Sequence, residues 1–128
     1  MGRIIHFEIH AADFKRATVF YGELFGWKFE SWGDGSYSVI TTGPDTSKGI
    51  NGGMTKRTGP APTAGQAVDG FVNIIEVPSV DEYTKKILAA GGSLSHGKET
   101  VPSMGYSAYF RDPEGNLFGI FQIDAAAK

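Results

Sequence analysis

Residues 6 to 10 alternate in polarity, His6-Phe7-Glu8-Ile9-His10. A strand here would put three ionisable side chains on one face and two apolar ones on the other. Asp13 follows as a helix N-cap, and Phe14, Ala17, Phe20, Tyr21 and Leu24 recur at helical spacing until Gly26 can end the helix cheaply in the left-handed region. Strands are expected at Lys28–Trp32, at Tyr37–Thr42 beyond a Gly33-Asp34-Gly35 turn, and at Ile50–Lys56. Residues 58–70, TGPAPTAGQAVDG, have the composition of a linker.

The same order then recurs. Phe71–Val77 reads as a strand, and SVDE at 79–82 is a capping box. Val80, Tyr83, Ile87 and Ala90 make the second helical stripe, which the glycines at 91 and 92 terminate. Strands follow at Ser93–Pro102, Tyr106–Arg111 and Asn116–Ile123, the last two joined by the turn DPEG. Gly26 corresponds to Gly92 and Ala11 to Val77, both 66 residues apart (92 − 26 and 77 − 11). The expectation is an α+β protein of two βαβββ modules, at about 1–57 and 70–124, joined by a Gly/Pro/Ala-rich linker.

Charge and composition remove whole classes of function. The 128 residues carry 12 basic and 14 acidic side chains, a formal charge of −2 with no basic block, so a nucleic-acid partner is not expected. Without cysteine there is neither a disulfide framework nor a thiolate zinc site. No apolar run approaches the roughly 20 residues of a membrane helix, and nothing resembles a signal peptide, so a cytoplasmic protein is expected. Neither GDGS nor GINGG has the lysine and following helix of a phosphate loop, and no nucleophile elbow is present.

Three segments, HFEIHAADFKRATVFYGELFGW, GINGGM and VPSMGYSAYFRDPEGNLFGIFQ, carry a resemblance to a known family. With their FYxxLFGW and DPxGNxFG elements the chain resembles the vicinal oxygen chelate superfamily of glyoxalases, bleomycin- and fosfomycin-resistance proteins and extradiol dioxygenases. The resemblance implies two βαβββ modules forming a cupped, incomplete barrel, with a small ligand or a metal inside. It also implies a homodimer. Metal-dependent members of the superfamily take one ligand from the first and one from the last strand of each module.

Carried over residue by residue, those four positions fall at His6, Val72 (6 + 66), Gly119 and Gly53 (119 − 66), with Asn51 and Gly52 beside the last. Only His6 has a donor side chain, whereas a zinc, iron or manganese site needs three or four nitrogen or oxygen donors. His6, Glu8 and His10 do not replace it, because the strand between the first and third spans about 13 Å and they cannot converge on one ion. The expected cofactor is therefore none, the alternative being a divalent metal at His6.

His6, Glu8 and His10 are instead expected to line the cup as a polar anchor for a small organic ligand. Trp32, Tyr37, Tyr106 and Phe121 are candidate aromatic walls, and Asn51 is a further ligand-binding candidate. Tyr21, Phe25 and Trp27 are assigned to core, His96 to the solvated surface, and Arg111 with Asp112 to a local ion pair. The leading expectation is a metal-independent small-molecule-binding protein of the glyoxalase/bleomycin resistance type. The alternative is a glyoxalase-like lyase or isomerase, or a dioxygenase-related enzyme. It would use Glu8 and His6 as catalytic candidates, with or without a divalent metal. A purely structural interaction partner has no positive feature behind it.

Overall fold

The computed structural model describes residues 1–128, which divide into two compact units, Met1–Ala61 and Pro62–Lys128. Each is a βαβββ module. In the first, β1 (Phe7–Ala11), α1 (Phe14–Phe25), β2 (Lys28–Trp32), β3 (Tyr37–Thr41) and β4 (Gly52–Lys56) follow in order. The second has β5 (Asn73–Glu76), α2 (Val80–Ala89), β6 (Ser93–Val101), β7 (Gly105–Arg111) and β8 (Leu117–Ile123). The sheets run β1-β4-β3-β2 and β5-β8-β7-β6, with the first and last strands of each module parallel and all other neighbours antiparallel. Both strand ends of β1 shift by one residue from the alternating run, so His6 stands just before the strand.

The helices form where their caps and stripes direct. Asp13 accepts from the Arg16 amide at 3.0 Å and Gly26 closes α1 at φ 72°. Ser79 Oγ accepts from the Glu82 amide at 3.2 Å, the hydroxyl half of the capping box. A second first-turn amide of α2, that of Val80, donates to Gln122 Oε1 at 2.9 Å. This contact from β8 ties the helix start to its own sheet.

Alternation then decides which sheet face each helix covers. In unit 1, Ile9, Ala11, Ile40 and Met54 are buried together with Ala17, Phe20, Tyr21 and Leu24 of α1. Trp27 stacks on Tyr21 at 4.9 Å and meets Phe7 at 5.7 Å, as expected of core aromatics. In unit 2, Val77, Ala108, Phe110, Phe118 and Ile120 are buried with Val80 and Ile87 of α2. Every second residue of each strand therefore points to the face that carries no helix of its own unit.

The turn between β7 and β8 is built by one carboxylate. Asp112 Oδ1 accepts from the amides of Glu114 and Asn116, each at 2.9 Å. Arg111 Nη1 donates to the Gly115 carbonyl at 2.8 Å, so this arginine also serves the turn. No helix is long and apolar enough to cross a membrane.

Candidate functional site

The helix-free face of unit 1 can be read row by row across the sheet. Glu8 pairs with Gly53, Gly53 with Val39 and Val39 with Glu30, while His10 pairs with Thr55, Thr55 with Tyr37 and Tyr37 with Trp32. His6, Glu8 and His10 are all exposed on this face while Ile9 and Ala11 are buried behind it. The alternation thus distributes the strand's residues as its sequence dictates.

Tyr37 joins two of these side chains. His6 Nε2 lies 2.8 Å from Tyr37 Oη, and Tyr37 Oη donates to Glu8 Oε2 at 3.1 Å. Direct contact between His6 and Glu8 is longer, at 3.9 Å. Because the phenol proton goes to Glu8, the imidazole must donate from Nε2, which selects the tautomer with the proton there. Burial of the ring, then the hydrogen bond and negative charge of Glu8, raise the Tyr37 pKa above its ordinary value, so the phenol keeps its proton at neutral pH.

The phenol reaches this position because Gly53 has no side chain. A Cβ on Gly53 would lie 1.8 Å from Tyr37 Oη and 2.2 Å from the ring carbon that carries it. The space over Gly53 on β4 is thus filled by a phenol from β3. In unit 2 the equivalent Gly119 is covered differently: a Cβ there would meet Ile74 Cδ1 at 2.7 Å and the Tyr109 ring at 2.8 Å. Two apolar groups occupy that space. No group of three or more His, Cys, Asp or Glu side chains comes together in a way that could hold a metal ion.

The other candidates divide. Trp32, the cross-strand partner of Tyr37, is 68% exposed and shares its face. His10 is on that face two residues beyond Glu8, its carbonyl accepting from Arg57 Nη2 at 2.9 Å. Asn51 turns to local work: its Oδ1 accepts from the Thr42 amide at 2.9 Å and Thr42 Oγ1 at 3.3 Å. It lies in the wall of a separate concavity of about 380 Å³ bounded by Arg3, Ile5 and Lys48 among others.

Phe121 is on the helix-free face of unit 2, paired with Ser107 and, in the parallel ladder, with Glu76. Tyr106 is not. It pairs with Gln122 and alternates with Ser107, so it shares the face of Ala108 and Phe110, with Lys98 Nζ 4.6 Å above its ring. The expectation that Tyr106 joins Phe121 in an aromatic wall is corrected accordingly. Tyr109 is the β7 ring that shares the helix-free face with Phe121, and its direct pairing with Gly119 was legible only once the register of β7 and β8 was known. His96, expected to be merely solvated, holds Glu99 Oε1 at 2.5 Å, both side chains being more than half exposed.

Known proteins share both the segment and the fold. Residues 3–43 match the family described as bleomycin resistance protein-like N-terminal. A glyoxylase-like domain-containing protein of Didymella fabae is 28% identical over 122 residues, covering 93% of this chain and 92% of its own. A glyoxalase/bleomycin resistance protein/dioxygenase family enzyme of Burkholderia phytofirmans superposes with a TM-score of 0.71 at 20% identity, over 93% of this chain and 97% of that one. The fosfomycin resistance protein FosX of Listeria monocytogenes does so with a TM-score of 0.73 at 20% identity, over 97% and 93%. A mutant of that protein was crystallised with Mn(II) and a dihydroxypropylphosphonic acid. These shared folds give the chain a glyoxalase-like architecture of two βαβββ modules, and the matched first segment and the Didymella fabae relative support the resemblance to the vicinal oxygen chelate superfamily.

Proposed function

We propose that the chain binds a small organic molecule without the metal of its metal-dependent relatives, and that His6, Tyr37 and Glu8 are its polar anchor. One observation carries this reading. Tyr37 Oη stands in the space a Gly53 side chain would need, and from there it engages both His6 Nε2 and Glu8 Oε2. The donor set supports it: of the four inherited ligand positions, Val72, Gly53 and Gly119 offer no side-chain donor, and the His6 nitrogen turned toward Gly53 is engaged with a phenol. A divalent ion does not fit this arrangement, because too few donors remain to replace its water. Trp32, exposed beside Tyr37, supplies an apolar surface for the body of the ligand.

A homodimer belongs to the same reading. Ile4, Ile5 and Phe71 stand exposed just ahead of β1 and β5, and apolar surface of this kind favours being covered by another chain. Light scattering at micromolar concentration should give twice the chain mass.

The binding reading is tested by ligand-observed NMR of a small-fragment set against the wild-type chain and its His6→Ala, Glu8→Gln and Tyr37→Phe variants. Fragments should bind without added metal and lose about tenfold or more in affinity in each variant. Binding that survives all three substitutions would contradict the assignment. Turnover of a bound compound, lost in Glu8→Gln, would instead favour an enzyme.

A further inference from the structure

The hydrogen bonds of the anchor set which chemical groups it can accept. Tyr37 commits its only proton to Glu8, and His6 commits its Nε2 proton to the Tyr37 oxygen. What remains unsatisfied is acceptor capacity. Glu8 keeps one whole oxygen and a further lone pair on the other, the phenol oxygen keeps a lone pair, and the imidazole tautomer that carries its proton on Nε2 keeps Nδ1 as an acceptor. In this state the three groups offer a ligand no free proton.

Solvent and neighbours leave that capacity usable. The His6 and Glu8 side chains are 47% and 48% exposed, so a ligand reaches them without opening the fold. Trp32 lies in the Tyr37 row and presents an open indole ring, a surface on which cations and apolar bodies both settle. Two basic side chains of the same unit stand apart. Lys28 is at the opposite end of β2 from Trp32, about 13 Å away along the strand, and Arg57 Nη2 is held by the His10 carbonyl.

We propose, resting on the binding reading above, that the anchor selects a protonated amine attached to an apolar body. Its ammonium donates to Glu8 and to the Tyr37 oxygen while the body lies against Trp32. An ammonium brings three donors and a positive charge to a cluster that has only acceptors and a carboxylate. A carboxylate ligand of the same shape brings acceptors against acceptors, and like charge against Glu8. Such mismatches discriminate more strongly than apolar contacts do.

The test compares 2-phenylethylamine, 3-phenylpropionate and 2-phenylethanol as probes, each titrated into the full chain while heteronuclear NMR follows the His6, Tyr37 and Trp32 signals. 2-Phenylethylamine should bind saturably at these three residues, at least about tenfold more tightly than either other probe. Glu8→Gln should remove that preference and Tyr37→Phe should reduce it. If 3-phenylpropionate or 2-phenylethanol binds at the same residues as well as the amine, amine selection is wrong while the binding site stands. If the amine binds but Glu8→Gln leaves its affinity unchanged, the assignment of the ammonium to Glu8 is wrong. If no probe moves His6, Tyr37 or Trp32, both the selection and the site are overturned.

Discussion

Gly53 on β4 and Gly119 on β8 each stand beside the first strand of their module, opposite Glu8 and Ile74 respectively. Above Gly53 is a phenol hydrogen-bonded to a carboxylate and an imidazole, and above Gly119 are an isoleucine and the ring of Tyr109. The exchange covers two successive positions on that side of the chain, His6 and Glu8 of unit 1 corresponding to Val72 and Ile74 of unit 2, while His10 corresponds to the equally ionisable Glu76. One backbone plan thus serves two chemistries. A residue without a side chain makes room in both, and the neighbours that fill the room decide whether the surface over the glycine is polar or apolar. Both closing strands carry a bare glycine at this point, but only unit 1 has hydrogen-bonding groups over it.

The largest expected contrast comes from filling the two gaps. Gly119→Val drives two methyls into Ile74 and Tyr109 and should destabilise the chain by about 2 kcal/mol in urea unfolding. Gly53→Val meets the far end of a half-buried tyrosine that can swing outward, and should cost about 1 kcal/mol. It should nonetheless abolish the coupling of Tyr37 to His6. Equal losses would mean that the two gaps are packed alike.

Removing the two hydroxyls sharpens the comparison. Tyr37→Phe deletes the link between His6 and Glu8 and should cost about 1 kcal/mol. Tyr109→Phe should fall within about 0.5 kcal/mol of the wild type, because Tyr109 contributes its ring to the contact with Gly119. Denaturant midpoints of the pair measure the difference, and a larger loss for Tyr109 would reverse the account of the two faces.

A smaller effect is expected in alkali. Burial and the adjacent Glu8 raise the Tyr37 pKa in the folded chain, so the fold holds this proton more tightly than the unfolded chain does. The resulting stability is fully present below the ordinary tyrosine value of about 10 and is lost as pH rises from there through the folded value. Tyr37→Phe should flatten that alkaline decline, and Glu8→Gln should reduce it in part. An unchanged slope in Tyr37→Phe would place the shift elsewhere.

Much of this was readable in the sequence, for reasons that differ by element. The helices follow from caps and stripes that are local, and Asp13 and Ser79 sit where their side-chain chemistry puts them. The polar face of β1 follows from period-two alternation, which is also local. The union of His6, Glu8 and Tyr37 was less accessible because Tyr37 lies 29 and 31 residues away, and its reach depends on pairing with Thr55 and on the bare backbone at Gly53. Register also explains the miss at Tyr106. The 66-residue offset holds for the outer strand pairs, Glu8–Gly53 and Ile74–Gly119, but the residue facing the closing-strand glycine is Val39 in β3 and Tyr109 in β7, an offset of 70 (109 − 39). The longer β6 and its irregular pairing with β7 absorb the extra residues, and composition gives no sign of where they go.

A phenol engages His6 at Nε2, and imidazole nitrogen-15 NMR of His6 in protein incubated with equimolar zinc tests that contact most directly. Nε2 should be protonated, with a signal that zinc leaves unmoved and that shifts in Tyr37→Phe. A deprotonated, zinc-bound Nε2 in the wild-type chain would contradict it.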